Sequence, residues 1–323
     1  MKLCLRIFGV ILVLGIIFTA FVAPKFVAAK GGGDKILLEY NFVVNDTKNY
    51  IETSEVTNTT TFSSSSAVVS TTIETERHYS EKVVSISNGT ATIDGDFSRI
   101  VVSELVENTD PNAPDVEYDY DSDTDDNLAL DHPFKYCEVL FDEGYQLQRS
   151  GAGNIPSDDT YQTLKDAGVL GGSLDDYDLY KTNTTCRANW NLFFPSYEVE
   201  ESDEWTGNFA VWEGGTTGSS KNISIDLQLV SLETLLGYPV AKISYTYSSS
   251  PFTYTKQYNE EDASSTSTYS DQLSGYLWFN YEDGFLVKSQ QTQTTNVTTN
   301  ATINDVNYTI YSAVSSTRTE TID

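Results

Sequence analysis

Asn222-Ile-Ser-Ile-Asp-Leu-Gln-Leu229 decides the fold class. Ile223, Ile225, Leu227 and Leu229 leave an extended chain on one side; Ser224, Asp226 and Gln228 leave on the other. A period of two marks a strand with one buried face. Upstream, Ile36–Val44 (ILLEYNFVV) alternates in the same way, with Ile36, Leu38, Tyr40, Phe42 and Val44 together. Downstream, Ala241, Ile243, Tyr245 and Tyr247 repeat it. Serine and threonine crowd the opposite faces, as in Thr292–Asn300 (TQTTNVTTN), and threonine suits an exposed pleat.

Turn signals separate these runs. Asn88-Gly89 lies between VVSIS and TATID, the residue pair that tight hairpins favour. Glu282-Asp283-Gly284 separates LWFNY from FLVKS, and Asp142-Glu143-Gly144 separates CEVLF from YQLQ. The alternation changes phase between Phe97 and Ile100, and again at Leu229-Val230, as a β-bulge would require. The expected architecture is mostly β: one large antiparallel sheet with a small helical and loop insertion.

Two segments break the pattern. Thr109–His132 carries nine acids and no base, which predicts a long solvated loop. Ser157–Ala167 (SDDTYQTLKDA) predicts a helix, capped by Ser157 or Asp158 and ended by Gly168. The organisation expected is a leader over 1–29 and one β-rich domain over 30–323, with the acidic loop at 109–132 and a helix/loop insertion at 133–190. There is also an internal echo. Val83–Phe97 (VVSISNGTATIDGDF) resembles Leu229–Tyr245 (LVSLETLLGYPVAKISY). Each runs V-S-[IL], a glycine turn, then Ala-x-Ile.

The chain has 323 residues, 47 acids and 19 bases, a net charge of −28. Such an acidic surface argues against nucleic-acid binding, which needs a basic footprint. Lys2 and Arg6 precede an uncharged apolar run, Ile7–Ala23, and Val27-Ala28-Ala29 offers small residues for cleavage after Ala29. That is an export signal, with an uncleaved N-terminal anchor as the alternative. Cys4 lies before the apolar run, where a lipobox cysteine cannot be. Cleavage removes Lys2, Arg6 and Lys25 and leaves 16 bases against 47 acids, a net −31. Cys137 and Cys186 then remain, and an oxidising compartment pairs them as a disulfide; two free thiols are the alternative. Asn45, Asn58, Asn88, Asn183, Asn222, Asn296, Asn300 and Asn307 each open an N-x-S/T sequon.

Signatures of chemistry are few. The sequence holds no G-x-S-x-G, H-E-x-x-H, Walker loop or strand-linked G-x-G-x-x-G. His78 and His132 are its only histidines, both expected at solvated positions. Trp190, Trp205, Trp212 and Trp278 could stack sugars beside paired carboxylates, which sets an extracellular carbohydrate-active enzyme as the third reading. Asp119, Asp121, Asp123 and Asp125 alternate as in calcium loops, but Thr124 stands where an EF-hand has glycine and Leu130 where it has glutamate. Calcium is the single cofactor candidate.

Longer stretches carry a resemblance. Ile36–Val56 and His78–Val102 resemble the opening of a family of exported, β-rich envelope proteins that bears only a domain-of-unknown-function label. Leu192–Gly207 (LFFPSYEVEESDEWTG) is similar to that family's "l-P-x-x-x-v-x-x-G-d-x-W" element through Pro195, Asp203 and Trp205, with Glu201-Ser202 where glycine is expected. Asp226–Tyr247 and Ser274–Thr295 resemble its closing strands. The family is similar in fold to Lol-type lipoprotein carriers, so the resemblance implies a curved half-barrel with an apolar concave face and no catalytic residues.

Three functions follow as expectations. The first is a non-enzymatic exported protein, secreted or held at the cell surface or envelope. It would bind a lipid or other hydrophobic molecule against Leu38, Tyr40, Phe42, Leu227, Leu229, Ile243, Tyr245, Leu277 and Phe279. The second is a structural or adhesive glycosylated envelope protein, and the third is the enzyme named above. An open cavity favours the first and a solid core the second.

Overall fold

Long alternating runs become long strands. The computed structural model describes residues 35–63, 67–110, 113–129, 132, 134–155, 157–159, 163–164, 166–168, 193–213, 219–248, 252–258, 263–303 and 306–323. The expected leader, residues 1–29, lies outside them. The strands are β1 (Thr47–Phe62), β2 (Val68–Ser87), β3 (Thr90–Asn108), β4 (Val116–Asp121), β5 (Tyr145–Ser150), β6 (Ser157–Asp158) and β7 (Glu204–Glu213). They continue as β8 (Ser219–Leu235), β9 (Tyr238–Ser248), β10 (Phe252–Tyr258), β11 (Ala263–Asn280), β12 (Phe285–Ile303) and β13 (Val306–Ile322). Helix α1 (Lys135–Glu143) is set among them.

All thirteen strands form one antiparallel sheet, in the order β6-β5-β3-β2-β1-β13-β12-β11-β9-β8-β7. β4 pairs with β3, and β10 with β11, off that path. The mostly-β, large-sheet expectation holds. Asn88 and Gly89 both take positive φ, 50° and 75°, which closes the β2–β3 hairpin in the tight turn that matches strand twist. Both phase changes are bulges: one at Ser98, between the pairs His78↔Arg99 and Tyr79↔Phe97, the other at Val230, between Leu229↔Ile243 and Ser231↔Lys242.

The sequence echo is an echo of structure. In the first hairpin Val83 pairs Ile93, Val84 bulges, and Ile86 pairs Ala91. In the second Leu229 pairs Ile243, Val230 bulges, and Leu232 pairs Ala241. The likeness extends outward. Asn45, at φ 71°, donates its N–H to the Val83 carbonyl at 2.8 Å, and the Val83 N–H returns to Asp46 at 2.9 Å. Ser202, at φ 75°, does the same to Leu229 at 2.7 Å, and the Leu229 N–H returns to Asp203 at 3.0 Å. Next, β3 pairs β5 through Ile93↔Leu147 and Gly95↔Tyr145, while β9 pairs β11 through Ile243↔Leu277 and Tyr245↔Gly275. Each glycine leaves room for the tyrosine opposite: a Cβ would come within 2.1 Å of the Tyr145 ring at Gly95 and 2.4 Å of the Tyr245 hydroxyl at Gly275. Two five-stranded units, β6-β5-β3-β2-β1 and β12-β11-β9-β8-β7, thus lie in tandem, and β13 joins the edge of one to the edge of the other.

Each unit has its own apolar core. The first collects Ile73, Tyr79, Ile93, Phe97, Ile100 and Val102 under α1, which contributes Cys137 and Leu140. The second collects Ile225, Leu227, Leu229, Ile243, Leu277 and Phe279. The segment before β1 straps the two together. The Tyr40 N–H reaches Gly151 in the β5–β6 connection at 2.8 Å, the Asn41 N–H reaches Gly284 in the β11–β12 turn at 3.2 Å, and Ile36 bridges Val199.

Three local expectations are corrected. CEVLF, read as a strand, is the middle of α1, because Phe134, Cys137 and Leu140 recur at helical spacing and bury together on β3. The acidic stretch 109–132 contains β4, because Val116, Tyr118 and Tyr120 alternate and Tyr120 buries opposite Val102. Ser157 and Asp158 form β6 rather than a helix cap; the helical turn starts later, where Thr163 N–H bonds Asp159 and Ala167 N–H bonds Thr163.

One turn carries strain. Leu236 sits at φ 53° in the β8–β9 turn, exposed, in a region costing a side-chain-bearing residue roughly 1–2 kcal/mol. Leu236→Asn is expected to raise stability by about 1 kcal/mol, read as a higher urea midpoint with unchanged slope.

Candidate functional site

The nine residues expected to face a ligand do come together. Leu227 pairs Tyr245, Leu229 pairs Ile243, and Ile243 pairs Leu277, so their inward side chains form one row across β8, β9 and β11. Leu38, Tyr40 and Phe42 descend onto that row from the strap. They fill it rather than line a void. Tyr40 stacks on Phe42 with centroids 5.4 Å apart and meets the edge of Phe279 at 5.2 Å. Phe194 packs beside both, 4.5 Å from Phe279 and 6.1 Å from Tyr40. Leu229, Ile243 and Phe279 have 0% exposure. A side chain with no accessible surface borders no space that admits even water, so this set is packed core. The apolar concave face implied by the resemblance is corrected accordingly. Trp205 belongs to the same core and donates its indole N–H to the Phe193 carbonyl at 2.6 Å.

Beside this core lies a feature the sequence reading missed: buried ions. Arg149 of β5 grips Glu81 of β2 with two bonds of 2.7 and 3.1 Å, and the Tyr145 hydroxyl donates to the same carboxylate at 3.3 Å. The Tyr40 ring lies 5.2 Å from the Arg149 guanidinium. Glu52 of β1 takes Arg77 of β2 and Arg318 of β13. Glu320 of β13 accepts from Tyr79 and, at 3.2 Å, from Ser289 of β12. Three arginines face three glutamates, so the cluster is neutral in sum and crosses the seam where β13 joins the units. A buried charge is tolerable only when paired in this way. A slip of one residue in any of these strands would turn its ions outward, so the cluster fixes register.

Burial sets the titration of this group. It raises Glu320 above the ordinary carboxylate range and lowers Arg77 to about 9, still cationic at neutral pH. Burial opposes charge on Arg149 as well, but Glu81 and Tyr40 hold it above its usual value. Burial pushes Tyr50, Tyr79, Tyr245 and Tyr40 above 10; nearby carboxylates add to it, while Arg318 opposes it at Tyr245 and Arg149 at Tyr40. A phenol whose folded pKa is raised gives stability that is complete below pH 10 and lost as pH rises beyond it. Arg77, between about 9 and its unfolded value, and Arg318, also lowered by burial, act in the opposite sense against four tyrosines. Stability is therefore expected to fall steeply above pH 10, with phenolate absorbance from these tyrosines appearing only as circular dichroism is lost.

Apart from this cluster, the buried carboxylate of Asp271 on β11 accepts from Tyr247, from Gln293 at 3.0 Å and from Thr295 at 2.8 Å. His78 stands outward on β2 with Nε2 2.8 Å from Glu76. His132 accepts the Phe134 N–H through Nδ1 at 3.1 Å. The structure brings neither histidine to the buried cluster.

The calcium candidates are committed elsewhere. Asp121 pairs with Arg99 at 3.0 Å, Asp123 lies 3.4 Å from Arg99, and Asp125 accepts the Asp121 N–H at 2.8 Å, while exposed Asp119 stays on β4. Among the described residues no three His, Cys, Asp or Glu side chains are grouped to hold a metal ion. Cys137 is buried and disulfide-bonded; Cys186, its expected partner, lies outside the described residues. So do Trp190 and Asn183, and the side chains of Trp212 and Asn222. Of the other sequons, Asn45, Asn88, Asn296, Asn300 and Asn307 are exposed. Asn58 is 3% exposed and points inward, which removes it as a glycan acceptor.

No family model matches this chain, and no curated protein does. Solved structures give only a distant likeness. OccK7 (OpdD) of Pseudomonas aeruginosa is 8% identical with a TM-score of 0.27, over 86% of this chain and 99% of that one. The β domain of the Bordetella autotransporter BrkA is 9% identical with a TM-score of 0.23, over 84% and 98%. OpdQ of Pseudomonas aeruginosa is 8% identical with a TM-score of 0.22, over 85% and 99%. At such scores the likeness carries no argument. The chain's own surface differs from a lipid-facing one. A membrane barrel turns an apolar band outward. Here the outward positions of the central strands are Thr53, Glu55, Thr57 and Thr59, then Glu74 and Glu76, then Thr292, Thr294 and Asn296. Among the described residues no helix is long and apolar enough to cross a membrane.

Proposed function

We propose that this chain is an exported, non-enzymatic protein of the cell surface or envelope with a structural or adhesive role. One observation carries the reading: an inner face filled by its own side chains, under an outer face that is acidic, threonine-rich and studded with sequons. Among the described residues, Leu229, Ile243 and Phe279 offer a cargo no accessible surface. The buried ions are matched and hold the strands in register rather than presenting a reactive group. The lipid-carrier reading loses its lining residues to the core, and the sugar-cleaving reading loses Trp205 to it.

Glycosylation and the Cys137–Cys186 bridge belong to the same proposal. Asn296 and Asn300 on β12 and Asn307 on β13 share the outer face of one hairpin, with Asn300 opposite Thr309 and Thr302 opposite Asn307. Glycopeptide mapping of protein from the native host is expected to find sugar on these three and none on Asn58. Surface labelling of intact cells should reach the outward Lys82. A protein found only in the cytoplasm, unmodified and with reduced cysteines, would end the proposal.

A further inference from the structure

The outer face of the second unit holds a patch that the filled core does not explain. β9, β11 and β12 run side by side, and two registers across them place outward residues in rows. One row is Lys242, Trp278 and Lys288; the next is Ser244, Tyr276 and Gln290. Lys242 Nζ lies 4.8 Å from the Tyr276 ring centre and 5.2 Å from that of Trp278, and Lys288 Nζ lies 5.5 Å from Trp278. Trp278 is held at its edge, its indole N–H donating to the exposed Glu233 of β8 at 2.7 Å, so that carboxylate is occupied by the ring and the lysines lie against a fixed indole. Tyr276 is 42% exposed.

Charge makes the patch unusual. Acids outnumber bases by 28 in this chain, yet neither Lys242 nor Lys288 has a carboxylate partner among the described residues. Two ammonium groups held by one aromatic ring, beside an open tyrosine face and flanking hydroxyl and amide groups, form an anion site with a ring-stacking platform. We propose that this face binds an anionic polysaccharide, a sugar polymer carrying carboxylates. The lysines take the acid groups, Tyr276 packs against a sugar ring, and Ser244 and Gln290 meet its hydroxyls. An acidic peptide or an anionic lipid surface would use the lysines but leave the tyrosine face idle. The inference goes beyond the structural reading and does not depend on it, since the patch would bind whatever the rest of the chain does.

The test uses the secreted full chain and alginate oligomers, with polyglutamate, anionic phosphatidylglycerol vesicles and neutral dextran as comparison probes. Alginate is expected to bind with an affinity that falls as salt rises, and dextran is not. Lys242→Gln with Lys288→Gln should weaken alginate at least tenfold, and Lys82→Gln, an exposed lysine on β2, should leave it unchanged. Tyr276→Ser should weaken alginate several-fold while the unfolding midpoint stays in place. The proposal is overturned if alginate does not bind, if the double variant binds as before, or if polyglutamate or the vesicles bind as tightly and Tyr276→Ser has no effect.

Discussion

Arg149→Met is expected to lower the unfolding free energy by about 3–5 kcal/mol, a large share of the roughly 5–15 kcal/mol that holds a domain together. The cause is what it leaves behind. Glu81 is 9% exposed, and without Arg149 only the Tyr145 hydroxyl still donates to its carboxylate in that pair. The same argument sets the control. Replacing both partners, as Glu81→Leu with Arg149→Met, removes the buried charge together with its partner and should recover most of the loss. Urea unfolding of the single and double variants separates the two. A single-variant loss under about 1 kcal/mol would mean that water already reaches this pair.

Phe279→Ala should cost about 3–5 kcal/mol, and Leu229→Ala about 2–5 kcal/mol. Phe279 touches Tyr40 from the strap and Phe194 from the segment before β7, so its removal also loosens the joint between the units. A ring lining an open cargo cavity would lose far less, because its outer side would have no packing partners to forfeit. Thermal unfolding of Phe279→Ala, with and without added fatty acid, distinguishes these cases. A filled core predicts a large drop and no rescue by the fatty acid.

The strands were legible because period-two alternation requires no partner to be known. NISIDLQL lies within β8, and the Asn88-Gly89 hairpin falls where the residue pair puts it. Ile36–Val44 is the exception: it alternates as a strand would, but only Ile36 pairs, in an isolated bridge to Val199, and the rest is the strap, because its apolar side chains bury against the core instead of a neighbouring strand. The echo was legible for the same reason, although its full extent was not: Asn45 and Ser202 share a backbone conformation but no residue type. Ser202 also explains the departure from the resembling family's glycine, since its φ of 75° is the kind glycine adopts freely.

The ions escaped notice because charged residues in a strand read as solvent positions. The signal was present in their parity. Arg77 and Glu81 alternate with Ile73, Tyr79 and Val83 on the buried side of β2, and Glu52 shares a face with Tyr50. Whether such a charge is paired or solvated depends on strands far away in sequence, as with Arg318 and Glu52. CEVLF does not declare α1 because it is a five-residue run, apolar apart from Glu138, too short for helix and strand periods to be told apart. Whether nine inward side chains enclose a void or fill it depends on the distance between layers, which no single strand records.

The native mass of the secreted protein tests the central claim most directly. It should be measured under gentle ionisation after glycan removal, with a solvent extract of the same sample run alongside. A filled core predicts the mass of the bare mature chain, an extract without stoichiometric lipid, and no uptake when fatty acids or phospholipids are added. A one-to-one acyl lipid in the spectrum, displaced by solvent and lost in Leu229→Asp without unfolding, would contradict the account and restore a carrier.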